Sequence, residues 1–379
     1  MVGPFEFATA TRIVFGFGAI RSLAALAQPL GARALVVTGA NTTRAVRALA
    51  GLEASYFSFT GEPTLAIVRE GVKAARSCQF VIGFGGGSAM DAAKAIAALA
   101  PNSGEPLDYL EVIGQGHTLE HAPLPFLMVP TTAGTGAEVT RNAVLGSPEH
   151  GVRASLRSPL LVPRAALIDP ELTLEAPPGI TASTGLDTLT QLIEPFVSCR
   201  ANALTDGFCL DGMRRVASAL PKVFRNGLDR DARAEMAYAS LLSGLSLANA
   251  GLGIVHGFAS PLGGLLEAPH GALCAAVLPH GIAVNIRALR ERAPDHDALN
   301  KYRRIAQLLT ADSHAEPDDA VGYVSNLCRS LGVSSLRSYG LEPSGIPELV
   351  AKVASASSTK ANPIPLSMGE LAEIAERAL

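Results

Sequence analysis

The sequence predicts an α/β domain with a parallel sheet over residues 1–177, followed by an all-α domain over residues 178–379. Three observations carry that division. Short apolar runs alternate with helix-periodic stretches through the first half, the pattern of a parallel sheet covered by helices. The rhythm changes at Pro177-Pro178, beyond which the chain is Ala/Leu-rich with helical spacing and few β-branched runs. Between them in importance stands Val81–Lys94, VIGFGGGSAMDAAK, a buried strand that breaks on three glycines and restarts as a helix.

In chain order, Arg12–Phe15 reads as a short strand and Ala19–Ala27 as a helix. Ala34–Thr38 reads as a buried strand before a helical Thr42–Leu52. Tyr56–Phe59 is the next strand and Thr64–Ser77 the next helix, and Pro125–Val129 is a strand beyond the loop 101–116. Ligands in such folds sit at the carboxyl ends of the strands. Gly39, Gly85–Ser88 and Thr131–Thr135 all fall at such ends, so three loops are expected to converge on one crevice. In the second half, helices are expected at Ser183–Ser198, Thr205–Ala219, Asp231–Leu247, Ala298–Leu309, Pro317–Leu331, Ser344–Ala356 and Ser367–Leu379. A ligand site between the two domains is the default expectation.

Bulk properties narrow the function. Hydrophobic content of 48% with 17% charged residues fits a compact globular protein. A net charge of −3 with no basic stripe argues against nucleic acid. Five cysteines without a CxxC pair read as reduced thiols. No basic leader precedes an apolar run, and no uncharged apolar run is read as reaching the roughly 18 residues of a membrane span. A cytoplasmic protein without a membrane or nucleic-acid partner is therefore expected.

The chemistry of Gly85, Gly86, Gly87 and Ser88 is that of a phosphate cradle. Glycines let a bulky anion approach the main chain, and the bare N–H groups of the helix that follows supply partial positive charge. The pattern is neither GxGxxG nor GxxxxGK[ST]. In the second half, Asp187 and Gln191 are four apart in a helical segment and share a face. His256 and His270 are fourteen apart, about 21 Å on one straight helix. Pro261, Gly263-Gly264 and Pro269 between them favour a helix–loop–helix return that brings the imidazoles together. An Asp and two His can hold a divalent cation with a position open for substrate. Taken alone, these three residues are better read as local helix caps. Glu194 is read either as a support for the site or as a partner of Arg200. His280 is read either as a support for the site or as a residue apart from it, and Cys274 as a structural thiol rather than a ligand.

Seven strings in order change that weighting: GGGSAMDAAK, PTTAGTGAEVTRNAV, IDPELT, STGLDTLTQLIEPFVS, VHGFASPLGG, APHGALCAAVLPHG and KANPIPLS. Together they resemble the iron-containing (group III) alcohol dehydrogenase family over nearly the whole chain. The resemblance implies a dehydroquinate synthase-like architecture, NAD(P)H with a metal in an interdomain cleft, and interconversion of small alcohols with aldehydes or ketones. It also implies roles for single residues. Gly85, Gly86, Gly87, Ser88 and Asp91 match the pyrophosphate motif, and Thr131, Thr132 and Thr135 the threonine-rich loop along the nucleotide. Arg153 stands where many members carry Lys near the cofactor. Asp187, His256 and His270 match metal ligands that also act in catalysis, and Gln191 occupies the position of a fourth, histidine ligand. A homodimer is usual for such folds.

Three departures matter. Gly39 stands where NAD-dependent members usually carry Asp, so Thr42, Thr43 or Arg44 could receive a 2′-phosphate, which favours NADP(H), or dual use with NAD(H). Gln191 offers a neutral carbonyl in place of imidazole, which leaves a zinc or iron ion weakly held or absent. Ser260 replaces the second His of HxxxH. Alternatives are a metal-free, maleylacetate reductase-like enzyme acting on a carboxylated substrate through Arg153 and Arg141, or a non-catalytic nucleotide-binding relative.

Overall fold

The computed structural model describes residues 3–379. It divides into two compact units, one of Ala8–Ala176 and one of Pro177–Leu379 joined by residues 3–7. The first unit is built on β1 (Ile13–Phe15), α1 (Leu23–Ala27), β2 (Arg33–Gly39), α2 (Thr43–Ala48), β3 (Glu53–Phe59), α3 (Leu65–Ala75), β4 (Phe80–Gly85) and α4 (Gly87–Leu99), followed by β5 (Phe126–Pro130), β6 (Asn142–Ser147), β7 (Val152–Arg157) and β8 (Ala165–Ile168). Six strands form a parallel sheet in the order β1-β8-β5-β4-β2-β3. β4 lies inside it and is buried along its whole length, as an unbroken apolar run in a two-sided sheet requires.

Strand alternation sorts the core. Leu35, Val37, Val81, Phe126 and Met128 face the alanine-rich side of α4, while Val36, Phe80, Ile82, Leu127 and Val129 face the opposite layer with Leu23 and Leu49. Three strands lie beyond those the sequence pattern predicts. β6 and β7 form an antiparallel pair turning through Pro148–His150, and β8 joins the main sheet between β1 and β5. Four residues of β8 are too few to carry a period, and its neighbour β1 is about 150 residues away in sequence, pairing Ile13 with Ala166. α2 stops at Ala48, short of the expected Leu52, because the chain must turn to enter β3 at Glu53.

Lys94 fastens α4 to the loop after β5. Its ammonium is fully buried, 2.9 Å from Asp91 Oδ1, and donates to Thr140 Oγ1, the Ala137 carbonyl and the Asn142 carbonyl. Glu138 lies in the same turn, 2% exposed, and burial pushes its carboxyl up to about 7 despite the nearby Lys94 charge. A carboxyl with a raised folded pKa binds its proton more tightly in the folded chain. Stability is therefore lost as pH climbs from the usual 4.5 through about 7, by about 3 kcal/mol in all. Glu138→Gln is expected to raise the melting temperature by several degrees at pH 8 and to leave it unchanged near pH 4. Thermal melts across that range test this, and equal shifts at both ends would contradict it.

The second unit comprises α5 (Pro178–Val197), α6 (Ala203–Arg225), α7 (Arg230–Ala250), α8 (Ile254–Leu265), α9 (His270–Arg292), α10 (Asp297–Thr310), α11 (Pro317–Ser330), α12 (Ile346–Ser355) and α13 (Met368–Arg377). α8 and α9 are the helix–loop–helix return expected around His256 and His270. α9 is long and apolar enough to cross a membrane by length and composition, a property the charge-free-run test missed. Yet 78% of its apolar stretch is buried, and it packs against α5, α8, α11 and α13 as a core helix.

Candidate active site

The carboxyl ends of β2, β4 and β5 form the first candidate surface. Thr131 donates its N–H to the Gly85 carbonyl at 2.9 Å, which joins two of the loops. A Cβ on Gly87 would fall 2.6 Å from Thr135 Cγ2, and one on Gly85 2.7 Å from Ala89, so the backbone here is drawn tighter than any side chain permits. Gly86 is the N-cap of α4, and no side chain caps the first turn, leaving amides available to an anion. Thr132 stands against Gly86, 3.5 Å from where its Cβ would be.

Three predicted residues here are held by neighbours. Ser88 Oγ donates to Glu62 at 3.0 Å, and Arg153 pairs with the other oxygen of Glu62 at 3.4 Å. Asp91 accepts the Val144 N–H at 3.1 Å and pairs with Lys94, so its visible work is to brace the loop. At the end of β2, Gly39 has an ordinary backbone conformation, and a Cβ there would meet nothing within 4 Å. Thr42 and Thr43 begin α2, whereas Arg44 is occupied by the Leu172 carbonyl at 2.7 Å and by Glu175 at 3.2 Å.

The second surface lies in the helical unit. α5 presents Asp187, Gln191 and Glu194 at i, i+4 and i+7, along one face. α9 approaches closely because Gly271 lacks a side chain: a Cβ there would lie 2.2 Å from the Ser183 carbonyl oxygen. α8 approaches likewise, a Cβ on Gly253 falling 2.9 Å from Glu194 Oε1. The result brings His256 Nε2 to 3.4 Å and His270 Nε2 to 3.8 Å from Asp187 Oδ1. The two imidazole rings are 5.4 Å apart between centroids.

Asp187 Oδ1 and His256 Nε2 are buried, and neither has a hydrogen-bond partner among the described residues. Buried polar atoms are nearly always satisfied, and these two face the same point as His270. An anionic oxygen and two imidazole nitrogens converging there make a donor set that fits a divalent cation. Glu194 resolves its two readings in favour of the site. Its Oε2 accepts from His256 Nδ1 at 2.6 Å while Oε1 accepts the Val255 N–H, which turns the His256 Nε2 lone pair toward the cluster.

Family models and relatives identify the family. The model described as iron-containing alcohol dehydrogenase matches residues 10–170, and its C-terminal counterpart matches residues 181–379. The chain belongs to the iron-containing alcohol dehydrogenase family. It is 32% identical to an NAD-dependent methanol dehydrogenase of Bacillus methanolicus, over 97% of each chain. Its fold matches a 1,3-propanediol oxidoreductase with a TM-score of 0.90 at 31% identity over the whole of both chains. An archaeal halo-thermophilic alcohol dehydrogenase from a Red Sea brine pool gives 0.92 at 27% identity, covering 100% of this chain and 99% of that one. As a member of that family, it is a nicotinamide-dependent oxidoreductase that interconverts alcohols and carbonyl compounds.

Within that family frame, two sequence expectations change. Gln191, expected as at best a weak fourth ligand, does not turn its oxygen to the cluster. Its amide donates to Asp187 Oδ2 at 2.9 Å and its oxygen accepts from Ser243 at 3.0 Å, so it orients the aspartate. Cys274, expected to be a packing thiol, joins the cluster, with its sulfur 3.7 Å from His270 Nε2. His280 lies ten residues along α9 from His270, about 15 Å away, and burial with Arg377 nearby lowers it to about 4. It does not support the site. Burial opposes charge throughout the cluster, yet His270 and His256 hold Asp187 below the usual carboxylate range. Burial also pulls His270 down, but the Cys274 sulfur and Asp187 outweigh it and raise the imidazole to about 9.

Proposed function

We propose that this member of the family moves hydride reversibly between NADP(H), used in preference to NAD(H), and a small alcohol–aldehyde pair, with zinc or iron held by Asp187, His256 and His270. The observation that carries this reading is the pair of buried, unsatisfied atoms, Asp187 Oδ1 and His256 Nε2, turned toward one point beside His270. A divalent ion bound there supplies a Lewis acid for the substrate oxygen, and the nicotinamide supplies the hydride.

The chain's own residues do the positioning. Glu194 holds the His256 tautomer, and Gln191 keeps Asp187 Oδ1 free for the cluster. The His270 side chain retains 30% exposure, which makes its side of the cluster the natural approach for substrate. The uncapped start of α4 suits the pyrophosphate, and the missing carboxylate at Gly39 leaves Thr42 and Thr43 to face a 2′-phosphate. A carboxylated substrate is less well served, because Arg153 is already paired with Glu62.

The test combines elemental analysis of untagged protein with NADPH oxidation against a panel of small aldehydes, before and after chelation. About one zinc or iron per chain is expected, with turnover abolished by EDTA and restored by the ion. Turnover that survives complete metal removal in folded protein would overturn the metal reading. It would move proton donation to His270, which at neutral pH carries its proton when no ion is bound.

A further inference from the structure

Cys274 lies one helical turn beyond His270 on α9, so thiol and imidazole share a face. Its side chain is fully buried. One donor atom from each of Asp187, His256, His270 and Cys274 lies within 4.8 Å of every other. Bonds of about 2.0–2.1 Å to nitrogen or oxygen and about 2.3 Å to sulfur place tetrahedral donors roughly 3.3–3.6 Å apart. Three of the six edges are 3.4 Å from His256 to Asp187, 3.8 Å from His270 to Asp187 and 3.7 Å from Cys274 to His270, and the other three lie within 4.8 Å. Those three differ from the edges of a zinc tetrahedron by a few tenths of an ångström. Two of the donors are the buried atoms that no group among the described residues satisfies. On the other side of the cluster, the Gln191 carboxamide is spent on Asp187 and Ser243. The site therefore lacks a fourth donor from α5 and gains a sulfur from α9.

We propose that Cys274 is the fourth protein ligand of this cation, and that the Asp187–His256–His270–Cys274 set selects zinc or cobalt over iron. The proposal rests on the reading that the cluster holds a divalent ion. A thiolate is softer than the imidazole or amide it replaces, and softness favours zinc and cobalt over Fe²⁺. The thiol gives its proton to solvent as the sulfur–metal bond forms. Substrate is accommodated by expansion to five-coordination, which a d¹⁰ ion allows.

The experiment is cobalt titration of the chelator-stripped, full-length protein. Visible d–d bands report that Co²⁺ is bound in a low-symmetry protein site, and an intense near-ultraviolet sulfur-to-cobalt band reports a thiolate ligand. Wild type is expected to show both. Cys274→Ser, with its fold checked by circular dichroism, is expected to keep the d–d bands and lose the charge-transfer band. Wild-type d–d bands without the charge-transfer band overturn the assignment of Cys274 and leave the metal reading intact. A charge-transfer band that survives in Cys274→Ser overturns it in favour of another cysteine. Absence of any retained cobalt overturns both. Should Cys274→Ser fail to fold, X-ray absorption on the zinc-loaded wild type decides: a scatterer at about 2.3 Å is expected, and a shell of nitrogen and oxygen alone refutes the proposal.

Discussion

Asp187→Asn is expected to lower kcat/KM by about a thousandfold, some 4 kcal/mol of transition-state stabilisation, and to leave the protein without bound metal. Asp187 is the only carboxylate in the cluster and is 1% exposed, so its charge acts with little solvent screening. Asparagine keeps the shape and the acceptor for the Gln191 amide but removes the negative charge that offsets a divalent cation. The fold should survive, since α5 is buried through Leu186, Leu189, Ile193 and Phe196 independently of that charge. Steady-state kinetics, elemental analysis and circular dichroism on one preparation make the comparison. Activity within tenfold of wild type, in protein shown to be metal-free, would remove Asp187 from the proposed chemistry.

Gly39→Asp is expected to lower the NADPH-over-NADH ratio of kcat/KM by about a thousandfold. A carboxylate some 5 Å from a ribose phosphate costs roughly 2–3 kcal/mol at the effective dielectric of a protein surface. With NADH, the same carboxylate accepts from the ribose hydroxyls and contributes about 1.5 kcal/mol. Nothing in the fold opposes the substitution, because the backbone at Gly39 is ordinary and its Cβ position is open. That openness also means the glycine is not imposed by packing, in contrast to Gly85 and Gly87. Kinetics with both cofactors at one fixed aldehyde concentration decide the matter. A ratio that moves less than threefold would detach position 39 from cofactor choice.

Much of this protein was legible because the relevant physics is local. The apolar run Phe80–Ile82, the glycines that follow it and the alanine-rich helix after them act between residues adjacent in the chain. Their strand, turn and helix fall where the pattern places them. Asp187 and Gln191 share a face of α5 because 3.6 residues make a turn, whatever packs against it. The prolines and glycines between His256 and His270 announce a chain reversal in the same way.

Other features depend on contacts between distant segments. β8 is too short to show a period and exists by pairing with β1 on one side and β5 on the other. Glu194 chooses His256 over Arg200 because α8 starts against its carboxylate, an approach that Gly253 permits. Gln191 and Cys274 exchanged their expected parts for a related reason. The oxygen of Gln191 is taken by Ser243 of α7, and the close approach of α9 at Gly271 carries the Cys274 sulfur to the donors. The sequence by itself determined the family, the glycine-rich strand–turn–helix and three of the converging donors, since motif and helical period encode them. Only the tertiary structure decided which atoms face the cluster, because helix crossings set by glycines far apart in the chain aim those side chains.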